Sequence, residues 1–482
     1  MYLLSNSEMK EVERVAIEDK KVPSLILMEN AARGATDVIL SYNPKKVIVF
    51  AGKGNNGGDG LAIARMLIAN NINTKIVFIG DKEKATTDCK TNLEILENYN
   101  SDIVYSTENI NILDYDIIVD ALIGTGLTRR LNEKYENIVN TINKGKFIVS
   151  IDCPTGVDSN SGNDYGIAVN ANVTVTFHLP KIGLLLYPAY SHIGKLVVKN
   201  IGVPYIGNFK TFLLDNPIEF LPKRQENSNK GTYGKAMFIS GCDTMSGAAV
   251  INGTSAYKVG CGLVNICSTE HTINVIHNTL PEAVTTKRDN INLSYGNVIA
   301  IGSGLGISEE SKNIVDFVLK NAKCPVIADA DALNIISENE ELKHYTSAIT
   351  PHLKEMSRLT GKSVEYIKEN LIEVAKEYAK EYNTVVVLKD AHSVIASPKG
   401  DICINITGTS AMSKGGSGDS LTGVITGLVA QGIDIYNACC LGAYINGKAG
   451  EVAEKKTSKY SVLALDISNS IGDVLKEIVE NS

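Results

Sequence analysis

The chain has 482 residues, of which 44% are hydrophobic and 21% charged, enough to fill two sizeable α/β cores without disulfide staples. The formal net charge of −7 comes from interspersed acids and bases, so no basic block points to nucleic acid. No signal peptide opens the chain, no apolar run reaches the ~18 residues of a membrane span, and the nine cysteines include no C-x-x-C pair; reduced thiols and a cytoplasmic location are expected.

In chain order, residues 7–40 carry helical apolar spacing, Met9-Val12-Ala16 and then Leu27-Met28-Ala31-Ala35-Val38. Lys46–Ala51 is a short apolar run, expected as a buried strand, followed by the glycine-rich loop Gly52–Gly60 and a helix over Leu61–Ile68. Further strands are expected at Lys75–Ile79, Ile117–Val119, Phe147–Ile151 and Val173–Phe177, with helices near 86–98 and 132–142. The pattern lapses around 204–232, where Pro204, Pro217 and Pro222 punctuate a polar stretch. A second alternation follows. Strands are expected at Ala236–Ser240, Val264–Cys267, Val298–Ile301, Val326–Ala328, Ala348–Thr350 and Val385–Leu388, and helices at Ala248–Val259, Ser420–Ala430 and Tyr436–Glu454. Strands alternating with helices predict two α/β domains, each a mainly parallel sheet covered on both faces, spanning 1–212 and 225–482.

The first glycine loop, Gly52-Lys53-Gly54-Asn55-Asn56-Gly57-Gly58-Asp59-Gly60, leaves a strand and opens a helix, where free N–H groups and the helix dipole favour an anion. Gly52, Gly54 and Gly57 match G-x-G-x-x-G, with Asp81 near the end of the next strand, which allows a dinucleotide-binding reading; a tight Asn- and Gly-rich turn is the bland one. The adjacent amides and carboxylate suit an alkali cation or a polar ligand. Asp120 and Asp152 end two further strands on the same sheet edge, where α/β sheets bind ligands.

The segments GKGNNGGDG, VDALIGTGLTRR and SIDCPTGVDSNSG, with the earlier LMENAARGA, resemble the NAD(P)H-hydrate epimerase family over about residues 1–210. The resemblance implies a Rossmann-like αβα domain. It implies potassium on Asn56, Asp120 and Thr155. Hydrated nicotinamide nucleotide would lie on Asn55, Asn56, Gly57, Gly58, Asp59, Gly124, Thr125, Gly126, Leu127, Thr128, Arg129, Arg130 and Asp152, with Asp152 moving the proton. Thr155 stands where that family more often has serine.

The second glycine loop, Lys414-Gly415-Gly416-Ser417-Gly418-Asp419-Ser420, also opens a helix. Consecutive N–H groups can wrap an oxyanion there, and Asp419 can take a proton from a hydroxyl beside it, although a capping acid would look the same. The loop resembles the anion hole of ribokinase-like proteins. Together with Gly302–Gly306, Asp329–Asn334, Thr350-Pro351-His352 and Val386–Ser393, it resembles the ADP/ATP-dependent NAD(P)H-hydrate dehydratase family over about 225–480. The resemblance implies a ribokinase-like αβα domain, with substrate on Ala248, Gly304, Gly306, His352 and Asp419. Nucleotide would lie on Lys389, Asp390, Ala391, His392, Ser393 and Gly418. Magnesium would accompany the phosphates, and ADP is favoured over ATP on overall likeness. Ser303, Leu353-Lys354 and Asp390 depart from the family pattern of Pro, Pro-Gly and Gly. The expected function is repair of hydrated NADH and NADPH by a homo-oligomer; a ribokinase-like kinase of a vitamin alcohol with an N-terminal binding module is the alternative.

Overall fold

The computed structural model describes residues 1–108, 110–204 and 207–480. The chain divides into two compact units, Tyr2–Phe209 and the part from Lys210 onward together with Met1. In the first unit the strands are β1 (Lys46–Ala51), β2 (Asn73–Phe78), β3 (Asp102–Val104), β4 (Ile117–Ala121), β5 (Ile148–Ile151), β6 (Val173–Phe177) and β7 (Lys195–Lys199). They form one sheet in the order β3-β2-β1-β4-β5-β6-β7, parallel throughout. Successive residues of a strand point to opposite faces. Val47, Val49, Ile76, Phe78, Ile117 and Val119 therefore fill one core, and Ile48, Phe50, Val77, Ile118 and Ile148 the other. The order reverses between β1 and β4, which places the glycine loop after β1 at the switch point where such sheets bind ligands.

The second unit holds β8 (Thr211–Leu213), β9 (Lys235–Ile239), β10 (Leu263–Ser268), β11 (Val284–Lys287), β12 (Val298–Ile301), β13 (Val326–Ala328), β14 (Ala348–Ile349), β15 (Val385–Leu388), β16 (Ser393–Ala396) and β17 (Ile402–Asn405). Their order is β11-β10-β9-β12-β13-β14-β15-β16-β17-β8, with only the β15-β16 and β16-β17 pairs antiparallel. The helix Ser417–Ala430 packs its apolar residues against β9 and β12, and Ile435–Lys456 packs against β15, β16 and β17. Among the described residues no helix is long and apolar enough to cross a membrane.

Three expectations need correction. The helix over 7–40 is two helices, Asn6–Arg14 and Ser24–Leu40, joined through a π turn at Val15–Asp19. Pro23 bars helical geometry at the residue before it, and Lys21 turns left-handed at φ 59°. Both glycine loops are shorter than expected because the helices begin inside them, at Asn55 and at Ser417. Gly57 permits this: a methyl group there would lie 1.8 Å from the Gly52 carbonyl oxygen. The first domain was expected to run to 212, but Thr211–Leu213 pairs with β17 in the second sheet and the unit boundary falls after Phe209.

Separate expression of residues 1–209 and 210–482 is therefore expected to give two cooperatively melting pieces. A second piece starting at 216 lacks β8, bares the edge of β17 and should melt lower than 210–482 by several degrees, as read by calorimetry.

Candidate active sites

At the switch point of the first sheet, Gly54 precedes the helix Asn55–Ala69 with no side-chain cap, so the N–H groups of its first turn remain free for a ligand. Oriented to satisfy both partners, the Asn56 amide donates to the Ile151 carbonyl (3.0 Å) and accepts from the Gly124 N–H (3.2 Å), tying this helix to the ends of β5 and β4. Asp120 is fully buried, and each of its oxygens takes two donors. Oδ2 accepts from Ser150 Oγ and Thr155 N (both 2.8 Å); Oδ1 accepts from Thr155 Oγ1 (2.7 Å) and Leu122 N (3.4 Å). Burial pushes its carboxyl up, against the pull of these hydrogen bonds.

Asp152 follows β5 with φ 64°, in the left-handed region. Its Oδ1 lies 2.7 Å from Lys181 Nζ. Its Oδ2 faces the Gly124 turn, where a methyl group on Gly124 would sit 3.1 Å away. Burial raises the Asp59 carboxyl well above its ordinary range, with the charges of Asp152 and Glu13 adding to it; burial raises Glu13 likewise. Asn6 Nδ2 donates to the Thr125 carbonyl (2.8 Å) and so fixes the turn that carries Gly124 and Gly126.

The structure thus gathers Asn56, Asp120, Gly124, Asp152 and Thr155. It turns Gly57 and Gly58 into packing, buries Leu127 in the core, and leaves Asn55, Thr128, Arg129 and Arg130 at the surface, with Arg130 paired to Glu136 (2.8 Å). Asp81 is an exposed cap on Glu83 N rather than a ribose acceptor. Lys181, Glu13 and Asn6 escaped the sequence reading. Lys181 carried one signal, a lysine just past β6 on the ligand-bearing edge.

For a cation, Asn56, Asp120 and Thr155 offer only hard oxygens and a single carboxylate, a donor set that fits a monovalent ion in kind. An ion on Asp120 would take the place of the Thr155 hydroxyl at Oδ1. Among the described residues no three His, Cys, Asp or Glu side chains gather as metal ligands.

In the second sheet, Gly416 adopts φ 97° as the cap of the helix Ser417–Ala430, a left-handed turn that leaves the following N–H groups free. Asp329 follows β13, fully buried. Its Oδ1 accepts from Thr350 Oγ1 (2.7 Å) and Lys389 Nζ (3.1 Å), and its Oδ2 from Thr422 Oγ1 (2.9 Å) and Ser303 Oγ (3.4 Å). Burial works to raise this carboxyl, but Lys389 and the hydroxyls hold it below its ordinary range. Lys389 Nζ lies 3.3 Å from where a methyl group on Gly418 would be, so its charge faces the glycine loop. Asp419 sits in the first turn of the helix, its carbonyl fixed by Asn252 Nδ2 (2.8 Å). Burial, reinforced by the Asp329 charge, pushes the Asp419 carboxyl up to about 7.

His352 caps the helix Leu353–Thr360, its Nδ1 accepting from Lys354 N (3.1 Å) and Glu355 N (3.2 Å), which leaves only Nε2 for a ligand. Glu355 answers by accepting the His352 N–H (2.7 Å), and burial pushes it up to about 7. Gly304 and Ala248 meet, with 2.9 Å between a Gly304 methyl and Ala248 Cβ, and Gly306 N donates to Asp331 (2.8 Å). Asp390, Ala391 and His392 form the turn between β15 and β16, Ser393 opens β16, and His392 is buried. Ser303 joins Asp329 to Asn252 through its hydroxyl, a link that the proline usual in the family cannot make. Asp329, which the sequence shows only as part of a motif, and Glu355 are buried acids to which the sequence assigns no role.

Residues 24–183 match the family described as YjeF-related protein N-terminus, and residues 236–472 match NAD(P)H-hydrate dehydratase. Over its full length the chain is 34% identical to a bifunctional NAD(P)H-hydrate repair enzyme of Moorella thermoacetica, 98% of which is covered. The chain belongs to the family of bifunctional NAD(P)H-hydrate repair enzymes. The Escherichia coli enzyme of that family is 31% identical over 92% of this chain and 88% of its own. A crystal structure of an ADP/ATP-dependent NAD(P)H-hydrate dehydratase from Bacillus subtilis, co-crystallised with ATP and magnesium, covers 54% of this chain and 96% of its own. It is 35% identical, with a TM-score of 0.50. The second unit is ribokinase-like, and the chain combines an epimerase with a dehydratase.

The state of Asp419 has a consequence for stability. Its folded-state value of about 7 lies above the ordinary ~3.9, so the proton it holds stabilises the fold below about pH 4, and that contribution is lost as pH rises towards 7. Asp419→Asn, which never ionises, should melt a few degrees above the wild type at pH 8 and show no gain at pH 4 by calorimetry.

Proposed function

We propose that the two sites act in sequence on hydrated nicotinamide nucleotides, carried by one observation: each sheet edge presents a carboxylate beside a glycine-opened helix N-terminus. In the first site Asp152 takes the proton of the C6 hydroxyl as the C6–N1 bond opens to an aldehyde. The electron pair passes to N1 and into the conjugated carboxamide. Closure on the opposite face of the aldehyde, with return of the proton from Asp152, inverts C6. The first turn of the helix Asn55–Ala69 and the Gly124–Arg130 turn hold the nucleotide. Asn56, Asp120 and Thr155 hold potassium, whose charge steadies that loop.

In the second site Asp419 takes the proton of the C6 hydroxyl as its oxygen attacks the terminal phosphoryl group of the nucleotide. The N–H groups of Gly415–Gly418 hold the phosphoryl oxygens, and Lys389 offsets their charge. The phosphorylated oxygen then leaves as phosphate, pushed by the N1 lone pair. Loss of a C5 proton to that phosphate restores the C5=C6 double bond. Lys389–Ser393 binds the nucleotide; Ala248, Gly304, Gly306 and His352 bind the hydrate. The donor is ADP, which leaves as AMP. Magnesium would accompany the nucleotide and supply charge neutralisation for its phosphates there.

Asp419→Asn should lower dehydration on the order of 100- to 10,000-fold and leave epimerisation unchanged. Dehydration kcat/KM in the wild type should climb as pH rises through about 7, where the carboxylate forms; a flat profile, or a variant rate within about threefold, removes Asp419 from the proton transfer. For the cation, full-length protein should melt higher in potassium chloride than in tetramethylammonium chloride at equal ionic strength. Asp120→Asn should abolish that difference.

A further inference from the structure

Lysine is almost never fully buried unless paired, yet Lys181, placed just after β6, is 1% exposed. Its ammonium group forms an ion pair with Asp152 Oδ1 (2.7 Å) and donates to Thr176 Oγ1 (3.0 Å) and to the Phe177 carbonyl (3.0 Å). Its backbone is fixed as well. Leu4 N donates to the Pro180 carbonyl (2.9 Å), and Ile182 N donates to the Leu4 carbonyl (3.0 Å). Thr176 Oγ1 also donates to Asp152 Oδ1 (3.3 Å).

The two oxygens of Asp152 are therefore unequal. Oδ1 is held from behind by the ion pair with Lys181 and by the Thr176 hydroxyl. Oδ2 has no donor among the described residues and faces the Gly124 turn and Asn56. The backbone cannot relax this arrangement easily, because Asp152 is already left-handed at φ 64°.

We infer that Lys181 is a positioning residue for epimerisation: by pinning Oδ1 it presents Oδ2 of Asp152 to the substrate hydroxyl. The inference rests on the reading that Asp152 moves the proton. A lysine serving the fold alone would lower stability when lost without a selective effect on turnover. A lysine that aims a carboxylate acts on kcat, because a carboxylate displaced by about 1 Å costs on the order of 100-fold in rate while the remote nucleotide contacts persist.

The test uses the full chain with the R form of hydrated NADH and no nucleotide, so that only epimerisation is read, by chromatography of the two forms. Lys181→Met should lower kcat on the order of 100-fold and change KM less than about threefold. Asp152→Asn should be as slow or slower. The Asp152→Asn, Lys181→Met double variant should be no slower than Asp152→Asn alone, since a positioning residue has nothing left to position. In Lys181→Ala, propylammonium should restore part of the rate and 1-propanol none. Thr176→Val, which keeps the ion pair and loses one anchor, should lower kcat several-fold and serves if the lysine variants do not fold.

The inference is overturned if Lys181→Met, folded by its melting curve, keeps kcat within about threefold while Asp152→Asn is inactive, or if the two losses add in the double variant. With unfolded lysine variants, an unchanged kcat in Thr176→Val overturns it. If Asp152→Asn itself keeps the wild-type rate, the reading of Asp152 fails instead.

Discussion

A carboxylate buried at the carboxyl end of a sheet is expensive unless every lone pair is answered. Asp120 and Asp329 are both such groups, each taking four donors from neighbouring strands, loops and helices. Asp120 draws Ser150 and Thr155 of the β5 edge towards the end of β4. Asp329 draws Thr350 after β14, Thr422 of the helix Ser417–Ala430, and Lys389 after β15. The need to satisfy these carboxylates sets where the strand-end loops lie, and hence where the glycine-opened helices present their N–H groups.

The acids proposed to react beside these hubs have different neighbours. Asp152 has a lysine directly on one oxygen. Asp419 has no such bond; the nearby lysine is spent on Asp329, and burial leaves Asp419 at about 7. Asp152 is paired and Asp419 is poised near neutrality by its surroundings; on the proposed reading the same residue type serves a ring opening in one unit and a phosphoryl transfer in the other. The surrounding residues separate the two chemistries more than the fold does, since both sites sit where an α/β sheet offers its strand ends.

Much of this was legible in the sequence. Buried parallel strands read as short apolar runs, and β1, β6, β12, β13 and β15 fall where those runs do. The strands missed were short, at or near an edge, or alternating: β3 has three residues, β7 is Lys-Leu-Val-Val-Lys, and β8 joins a sheet whose other members begin more than twenty residues later. Asn56, Asp120, Asp152, Thr155 and Asp419 could be singled out because glycine turns and strand-end acids are local signals. Lys181, Glu13 and Asn6 could not be, because they reach the first site from another strand end and from the first helix, and no local pattern marks a side chain aimed across a fold. His352 was named from its motif, but its Nδ1 is committed to the helix cap, a role that only the coordinates reveal.

On the proposed reading one chain carries two carboxylate sites, the first supplying the S form that the second consumes. The direct measurement is recovery of reduced-nicotinamide absorbance from a mixture of R and S hydrated NADH with ADP and magnesium. Asp152→Asn protein should recover the S share quickly and then slow sharply, Asp419→Asn protein should recover on the order of 100- to 10,000-fold more slowly than the wild type, and mixing the two should carry recovery to completion. Full recovery by Asp152→Asn alone at the wild-type rate, or a mixture that slows where Asp152→Asn does, would contradict the account.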